Sequence, residues 1–312
     1  MNSLCVCFTP LNVLIARRVA EINNIKFSKG VFITSVDTEK QRYYAKVMQE
    51  FCETVDYTVP NDNGNIKPKH LSILVRRIKS RKFFSQYAHV NSVYIATSYS
   101  DLVFEFLSSV RFEKLYTYDD GLINIFNDGT LVRIYDWKAK FFLILAGVTY
   151  WPTKFMAKTT LHYTIYHAEN SFNPTQFIEL TNASRELEDN RIDVKKIFLG
   201  ALPEASDDMW SLIKESVNQI NPDGYLAHPR EKVKKVDNVF YIKTPLVAED
   251  YILTDLKNNP NVSYEVYGYD SSALFNLAKV QGVKVISVIP NKPENFPLRN
   301  LMDKSGISFL ND

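Results

Sequence analysis

Three short polar clusters in this sequence combine residue types that can do chemistry. The first is Asp119-Asp120-Gly121. Two adjacent carboxylates repel, so one of them can keep its proton to higher pH and act as a base. Gly121 permits the sharp turn, although the same triplet also makes a plain surface turn. The second cluster is His228-Pro229-Arg230-Glu231, one of only five histidine positions in the chain. His228 can serve as a general acid or as a donor to phosphate, or it can be purely structural, and Pro229 fixes the direction in which the chain leaves. The third is Tyr267-Gly268-Tyr269-Asp270-Ser271-Ser272. A serine capping a following helix leaves free N–H groups that attract an anion. Two hydroxyls there can cradle a phosphate, whereas plain capping needs only one. Two single residues add to these clusters. Gly200 would let a nucleotide approach bare backbone, and Glu249 could accept from ribose hydroxyls.

Composition narrows what these clusters can serve. Only ten glycines occur in 312 residues, less than half the usual share of about 7%. Neither GxGxxG nor GxxxxGK[ST] is present, which argues against a dehydrogenase and against a P-loop enzyme. No Asp-x-Asp pair is present either. A diphosphate leaving group usually wants a divalent ion held by such carboxylates, so a single phosphate is the easier inference. The chain is 46% hydrophobic and 23% charged, as globular proteins are, and its net charge of +2 gives no reason to expect nucleic acid as a partner. Cys5, Cys7 and Cys52 are too few and too badly spaced for a disulfide framework or a zinc site.

The elements that must position the clusters alternate. Strands are expected at Ser3–Phe8, Gly30–Ser35, Val93–Thr97 and Lys114–Tyr118, with helices at Leu11–Asn23, Thr38–Cys52, Leu71–Gln86 and Ser100–Ser109. This βαβα rhythm implies a parallel sheet covered on both faces. It breaks over residues 124–185, an irregular aromatic stretch read as one or two helices, and the polar run Arg185 to Arg191 reads as a connection. The rhythm then resumes. Strands are expected at Val194–Leu199, Tyr225–Ala227, Val239–Ile242, Ser263–Tyr267 and Val283–Ile289, and helices at Asp207–Gln219, Ala248–Asn258 and Ser272–Gln281. The expected fold class is α/β, with two Rossmann-like lobes over residues 1–185 and 186–312 and ligands in the cleft at the strand carboxyl ends. The clusters fall just after strands, where such sheets place ligands.

No run of about 18 apolar residues spans a membrane, and the N-terminus reads as a strand rather than a signal peptide, so a cytoplasmic location is expected. Two segments are candidates for lying against a membrane surface. Lys67 to Lys82 carries seven basic residues and no acidic one beside the apolar Leu71, Leu74, Val75 and Ile78. The other is Phe141 to Trp151, which also suits a core helix.

Taken in order, Tyr118-Asp119-Asp120-Gly121, His228-Pro229-Arg230-Glu231 and Ser271-Ser272 resemble the bacterial lipooligosaccharide sialyltransferases of glycosyltransferase family 52. The likeness extends to Phe8-Thr9-Pro10-Leu11-Asn12 and to Pro245 through Tyr251. It implies a GT-B-like pair of lobes, CMP-sialic acid as donor, a galactoside or lipooligosaccharide as acceptor, inversion at the anomeric carbon and no metal or other cofactor. It implies His228 as acid toward the departing phosphate, which Ser271 and Ser272 would hold. Glu249 would meet the ribose, Gly200 and Pro245 would frame the cytidine, and Asn12 and Pro229 would join the substrate contacts. The base is Asp119 or Asp120 by likeness to some bacterial sialyltransferases. By likeness to the lipooligosaccharide group it is Asp207, with Asp208 behind it. A homodimer is also implied, its interface sought in Asn124 to His167. Two rival readings stand beside this one: a sister transferase using another nucleotide sugar, such as a glucose or galactose donor, and a non-catalytic nucleotide- or glycan-binding protein.

Overall fold

The computed structural model describes residues 2–34, 36–59, 69–87, 89–97, 101–125, 137–168, 170–181, 193–202, 204–231 and 233–310. Among them the chain forms two compact units, Met1–Leu180 and Thr181–Asp312, against the boundary after residue 185 expected from the sequence. The polar run from Arg185 to Arg191 lies outside the described residues.

The first unit is built on a parallel sheet. Its strands are β1 (Ser3–Cys7), β2 (Phe27–Ile33), β3 (Cys52–Thr58), β4 (His89–Ala96), β5 (Arg111–Tyr118), β6 (Thr159–Thr164) and β7 (Thr175–Phe177). They lie in the order β3-β2-β1-β4-β5-β6-β7. Every residue of β1 is buried, as expected for a central parallel strand covered on both faces. Helix α1 (Pro10–Ile22) starts where the sequence demands it. Thr9 caps it, Pro10 takes the first position, and Asn12 completes a reciprocal capping box. The remaining helices are α2 (Glu39–Val47), α3 (Lys69–Phe84), α4 (Asp101–Leu107), α5 (Trp137–Leu145) and α6 (Pro152–Lys158).

Two expectations need correction here. The helix expected over Thr38–Cys52 stops early, passes through a short 3-10 turn at Met48–Glu50 and gives way to β3. The stretch 124–185 is not merely irregular and helical, because it also carries β6 and β7 and extends the sheet. Residues 126–136 of that stretch are outside the described set.

The second unit holds β8 (Asp193–Leu199), β9 (Gly224–Leu226), β10 (Val262–Gly268), β11 (Val283–Ser287) and β12 (Ser308–Phe309), in the order β12-β11-β10-β8-β9, all parallel. Its helices are α7 (Asp207–Ile220), α8 (Ala248–Asn258), α9 (Ser272–Leu277) and α10 (Phe296–Lys304). Helix α7 presents Trp210, Ile213, Val217 and Ile220 to the sheet, a helical stripe in which each buried aliphatic side chain contributes about 1.5–3 kcal/mol. The strand expected at Val239–Ile242 is reduced to one bridge between Tyr225 and Tyr241, and α9 ends before the expected Gln281.

Both sheets reverse their winding once, between β1 and β4 in the first unit and between β8 and β10 in the second. At such a reversal the flanking connections leave to opposite faces and open a crevice at the strand carboxyl ends. Every sequence cluster singled out above lies at or next to one of these two places.

Candidate active site

In the first unit the site grows from the exit of β5. Asp119 is fully buried and tied down on both carboxylate oxygens. Oδ1 accepts from Asn124 Nδ2 at 2.9 Å and from His162 Nε2 at 3.0 Å, and Oδ2 accepts from the Ile165 amide at 2.8 Å. The far nitrogen of His162, Nδ1, lies 2.9 Å from Thr117 Oγ1. Thr117, His162 and Asp119 thus form a buried hydrogen-bonded chain. The register of β5 on β6 sets it, since Thr117 and His162 are direct partners across the two strands. Asp119 therefore fixes the turn from inside.

Asp120 is the partly exposed member of the pair. Its Oδ1 accepts from Asn12 Nδ2 at 3.0 Å, and the same amide nitrogen reaches the Asp119 carbonyl at 3.3 Å. Asn12 Oδ1 meanwhile accepts from the amides of Phe8 and Thr9, both at 3.0 Å. Both donors and both acceptor sites of this buried amide are thereby used within the protein. Asn12 organises the Asp120 carboxylate.

In the second unit the site grows from the exits of β8, β9 and β10. His228 follows β9, and its Nδ1 accepts from the Arg230 amide at 3.2 Å, which assigns the proton of the neutral ring to Nε2. The Glu231 amide closes the turn on the His228 carbonyl at 2.8 Å. Glu231 Oε2 accepts from Tyr225 Oη at 3.1 Å. Burial lifts the Glu231 carboxyl above its ordinary range, against the opposing pull of the Tyr225 hydroxyl.

Gly200 has a packing reason to be glycine beside the nucleotide approach expected of it. A Cβ there would fall 2.7 Å from Tyr225 Oη, 2.8 Å from Glu231 Oε2 and 2.9 Å from the His228 amide nitrogen. Its bareness lets the His228 turn close against β8. Pro229 and Pro245 are both exposed, in the His228 turn and in the loop before α8.

Ser271 caps α9, its Oγ accepting from the Ala273 amide at 3.3 Å, and Ser272 stands exposed in the first helical position. Glu249 is buried in the first turn of α8 and accepts from Asn276 Nδ2 of α9 at 2.7 Å, joining the two helices. Asp207 and Asp208 are both exposed in the first turn of α7, below the Ser206 cap. A cavity of 420 Å³ brings Ser206, Asp208 and Ser211 of that end together with Tyr269 and Lys292. Two clusters far apart in sequence, the start of α7 and the exit of β10, thus share one hollow of ligand size.

His162 is the residue that reading the sequence missed. Its signal was present in Thr159-Thr160-Leu161-His162-Tyr163-Thr164, a β-branched and aromatic run of the kind strands favour.

Two parallel α/β units, each with polar side chains gathered where its winding reverses, define a ligand-binding protein of the doubly wound class. The chain belongs to glycosyltransferase family 52, whose sequence model matches residues 27–292, and it is a glycosyltransferase. It is 32% identical to the N-acetyllactosaminide alpha-2,3-sialyltransferase of Haemophilus influenzae, over 91% of this chain and 90% of that one. It is 30% identical to the CMP-N-acetylneuraminate:beta-galactoside alpha-2,3-sialyltransferase of Pasteurella multocida, over 99% and 98%. An N-acetyllactosaminide alpha-2,3-sialyltransferase of Neisseria meningitidis is 23% identical, over 99% and 85%. Among solved structures, MurG of Acinetobacter baumannii superposes with a TM-score of 0.46 at 8% identity, over 99% of this chain and 86% of that one.

Proposed function

We propose that this protein moves sialic acid from CMP-sialic acid to the terminal galactose of a lipooligosaccharide or related galactoside, inverting the anomeric carbon and using no metal. The observation that carries the reading is the identity of 30–32% with alpha-2,3-sialyltransferases over at least 91% of the chain. The same relatives support an α2,3 linkage. The acceptor hydroxyl oxygen attacks the anomeric carbon, its proton passes to an aspartate, and CMP leaves with the bonding electron pair. His228 donates from Nε2 to the leaving phosphate, a role supported by the amide of Arg230 on its other nitrogen. Ser271 and Ser272 meet the phosphate beside the first amides of α9, Glu249 the ribose, and Gly200, Pro229 and Pro245 line the nucleotide. For the base we favour Asp207, which is exposed at a helix start, over Asp120. Asp119 is the least suited of the three, being held from all sides in the interior.

The test is CMP release on mixing CMP-sialic acid with lactose, with and without a chelator. His228→Ala should lower turnover by roughly 10²–10⁴-fold while CMP still binds in calorimetry, and UDP should not bind. An unchanged rate in that variant removes His228 from the mechanism, and UDP binding would favour another donor. Asn substitutions at Asp207, Asp120 and Asp119 separate the candidates. The base loses rate with Tm unchanged, whereas Asp119→Asn should lower Tm along with rate.

A further inference from the structure

The two segments that the sequence marked as candidates for a membrane surface lie far apart in the chain, yet the first unit packs them side by side. Helix α3 contains most of the basic segment and α5 begins the apolar one, and the two helices pack against each other. On α5, Leu143 points into the core while Phe141, Ile144 and Leu145 are 53%, 54% and 60% exposed. Their spacing of three and four residues puts them on one face of the helix. On α3, Arg77 is buried and Ile78 is 66% exposed, with Lys79, Arg81 and Lys82 exposed around it. Arg81 reaches the end of α5, its guanidinium 3.8 Å from where a Cβ on Gly147 would lie. Helix α5 thus carries a ridge of three large apolar side chains, and α3 packed beside it exposes Ile78 and three cations. The sequences Lys69–Phe84 and Trp137–Leu145 contain no acidic residue.

We propose that this α3–α5 face docks on an anionic phospholipid surface, the apolar ridge entering the headgroup boundary and the basic edge meeting lipid phosphates. Charge chooses the occupant. A second copy of the chain, placed across a two-fold axis, would bring this patch against itself and set cation against cation. A bilayer rich in anionic lipid supplies the opposite charge and the apolar depth together. The inference is independent of the transferase reading, because binding can be measured with neither donor nor acceptor present.

The experiment is co-sedimentation of the full chain with phosphatidylcholine vesicles, with and without phosphatidylglycerol, at low and high salt. Binding is expected only to the anionic vesicles and should weaken as salt rises. Lys79→Gln with Lys82→Gln should weaken partitioning about thirtyfold, and Ile144→Ser with Leu145→Ser should abolish it. Both variants should keep the far-ultraviolet circular dichroism and the turnover of the parent on a soluble acceptor. The proposal is overturned if the unaltered chain stays in the supernatant with anionic vesicles, or binds neutral and anionic ones alike. It is also overturned if the serine variant merely dissociates an oligomer in sedimentation velocity without vesicles, which would make the ridge a contact between copies. Should a variant fail to fold, the salt and lipid dependence of the unaltered chain still decides.

Discussion

Two carboxylates that are neighbours in sequence meet opposite environments. Asp119 is stripped of water and compensated by three donors, each hydrogen bond to a charged group contributing about 1.5–3 kcal/mol. Asp120 keeps contact with solvent and is aimed by Asn12. Glu231 is a third case, a carboxylate half removed from water and held by the tyrosine beneath it. Because burial raises its pKa in the folded state, the fold holds this proton more tightly than the unfolded chain does. Its contribution to stability is full below the ordinary glutamate value of about 4.3 and is lost as pH climbs through the raised value. Glu231→Gln removes that dependence and still accepts from Tyr225. The Tm of the parent should therefore fall relative to this variant as pH rises from about 4 toward neutrality, measured by calorimetry across that range. Parallel curves would mean that Glu231 ionises in the fold as it does in water.

At the scale of elements, the turn after a strand is where this chain places its chemistry, and those turns depend on what lies beneath them. The His228 turn rests on Gly200. A methyl group there must displace the Tyr225 hydroxyl, the Glu231 carboxylate and the backbone of His228 together. Overpacking of this kind costs about 1–3 kcal/mol. Gly200→Ala should lower Tm by several degrees and reduce turnover further than stability alone explains, since His228 moves with its turn. An unchanged Tm and rate would show that the turn yields freely. Elements with strong local signals were legible in the sequence. The α8 span of Ala248–Asn258 is the range the pattern predicts, and α1 is announced by Thr9-Pro10. Of the edge strands β9 was legible, but β3, β7 and β12 were not. After Cys52, β3 buries nothing fully: Glu53 and Thr54 are exposed and Val55 to Thr58 half-buried, and the strand has a sheet neighbour on one side only. β7 is three residues long. Such strands owe their conformation to the partner strand more than to their own residues. Missing β6 also hid His162, because only strand pairing brings it to Thr117 and Asp119. The candidate residues could be read from their types, but their burial could not. Thus the hydrogen bonds that hold Asn12 and Asp119, and the crowding around Gly200, could be seen only in the folded chain.

For the molecule as a whole, each unit has its own apolar core. One gathers Val6, Val31, Ile95, Phe104, Leu115 and Phe155, and the other Phe198, Trp210, Ile213, Tyr225, Tyr267 and Ile286. A unit with its own core is expected to open as its own cooperative body. In the proposed reading, the residues that would meet CMP, namely Gly200, His228, Glu249, Ser271 and Ser272, all belong to the second unit. CMP should therefore stabilise that unit selectively. At a free concentration one hundred times its dissociation constant, the gain is about 2.7 kcal/mol, or roughly a hundredfold slower opening-limited exchange. Hydrogen exchange followed by mass spectrometry should show that slowing in β8 and β10, with β1, β2 and β4 changed by less than about twofold. Equal slowing in both sheets would mean that the units open together. Slowing confined to the first unit would move the nucleotide to the β1/β4 crevice and overturn the assignment of His228 and the serine pair.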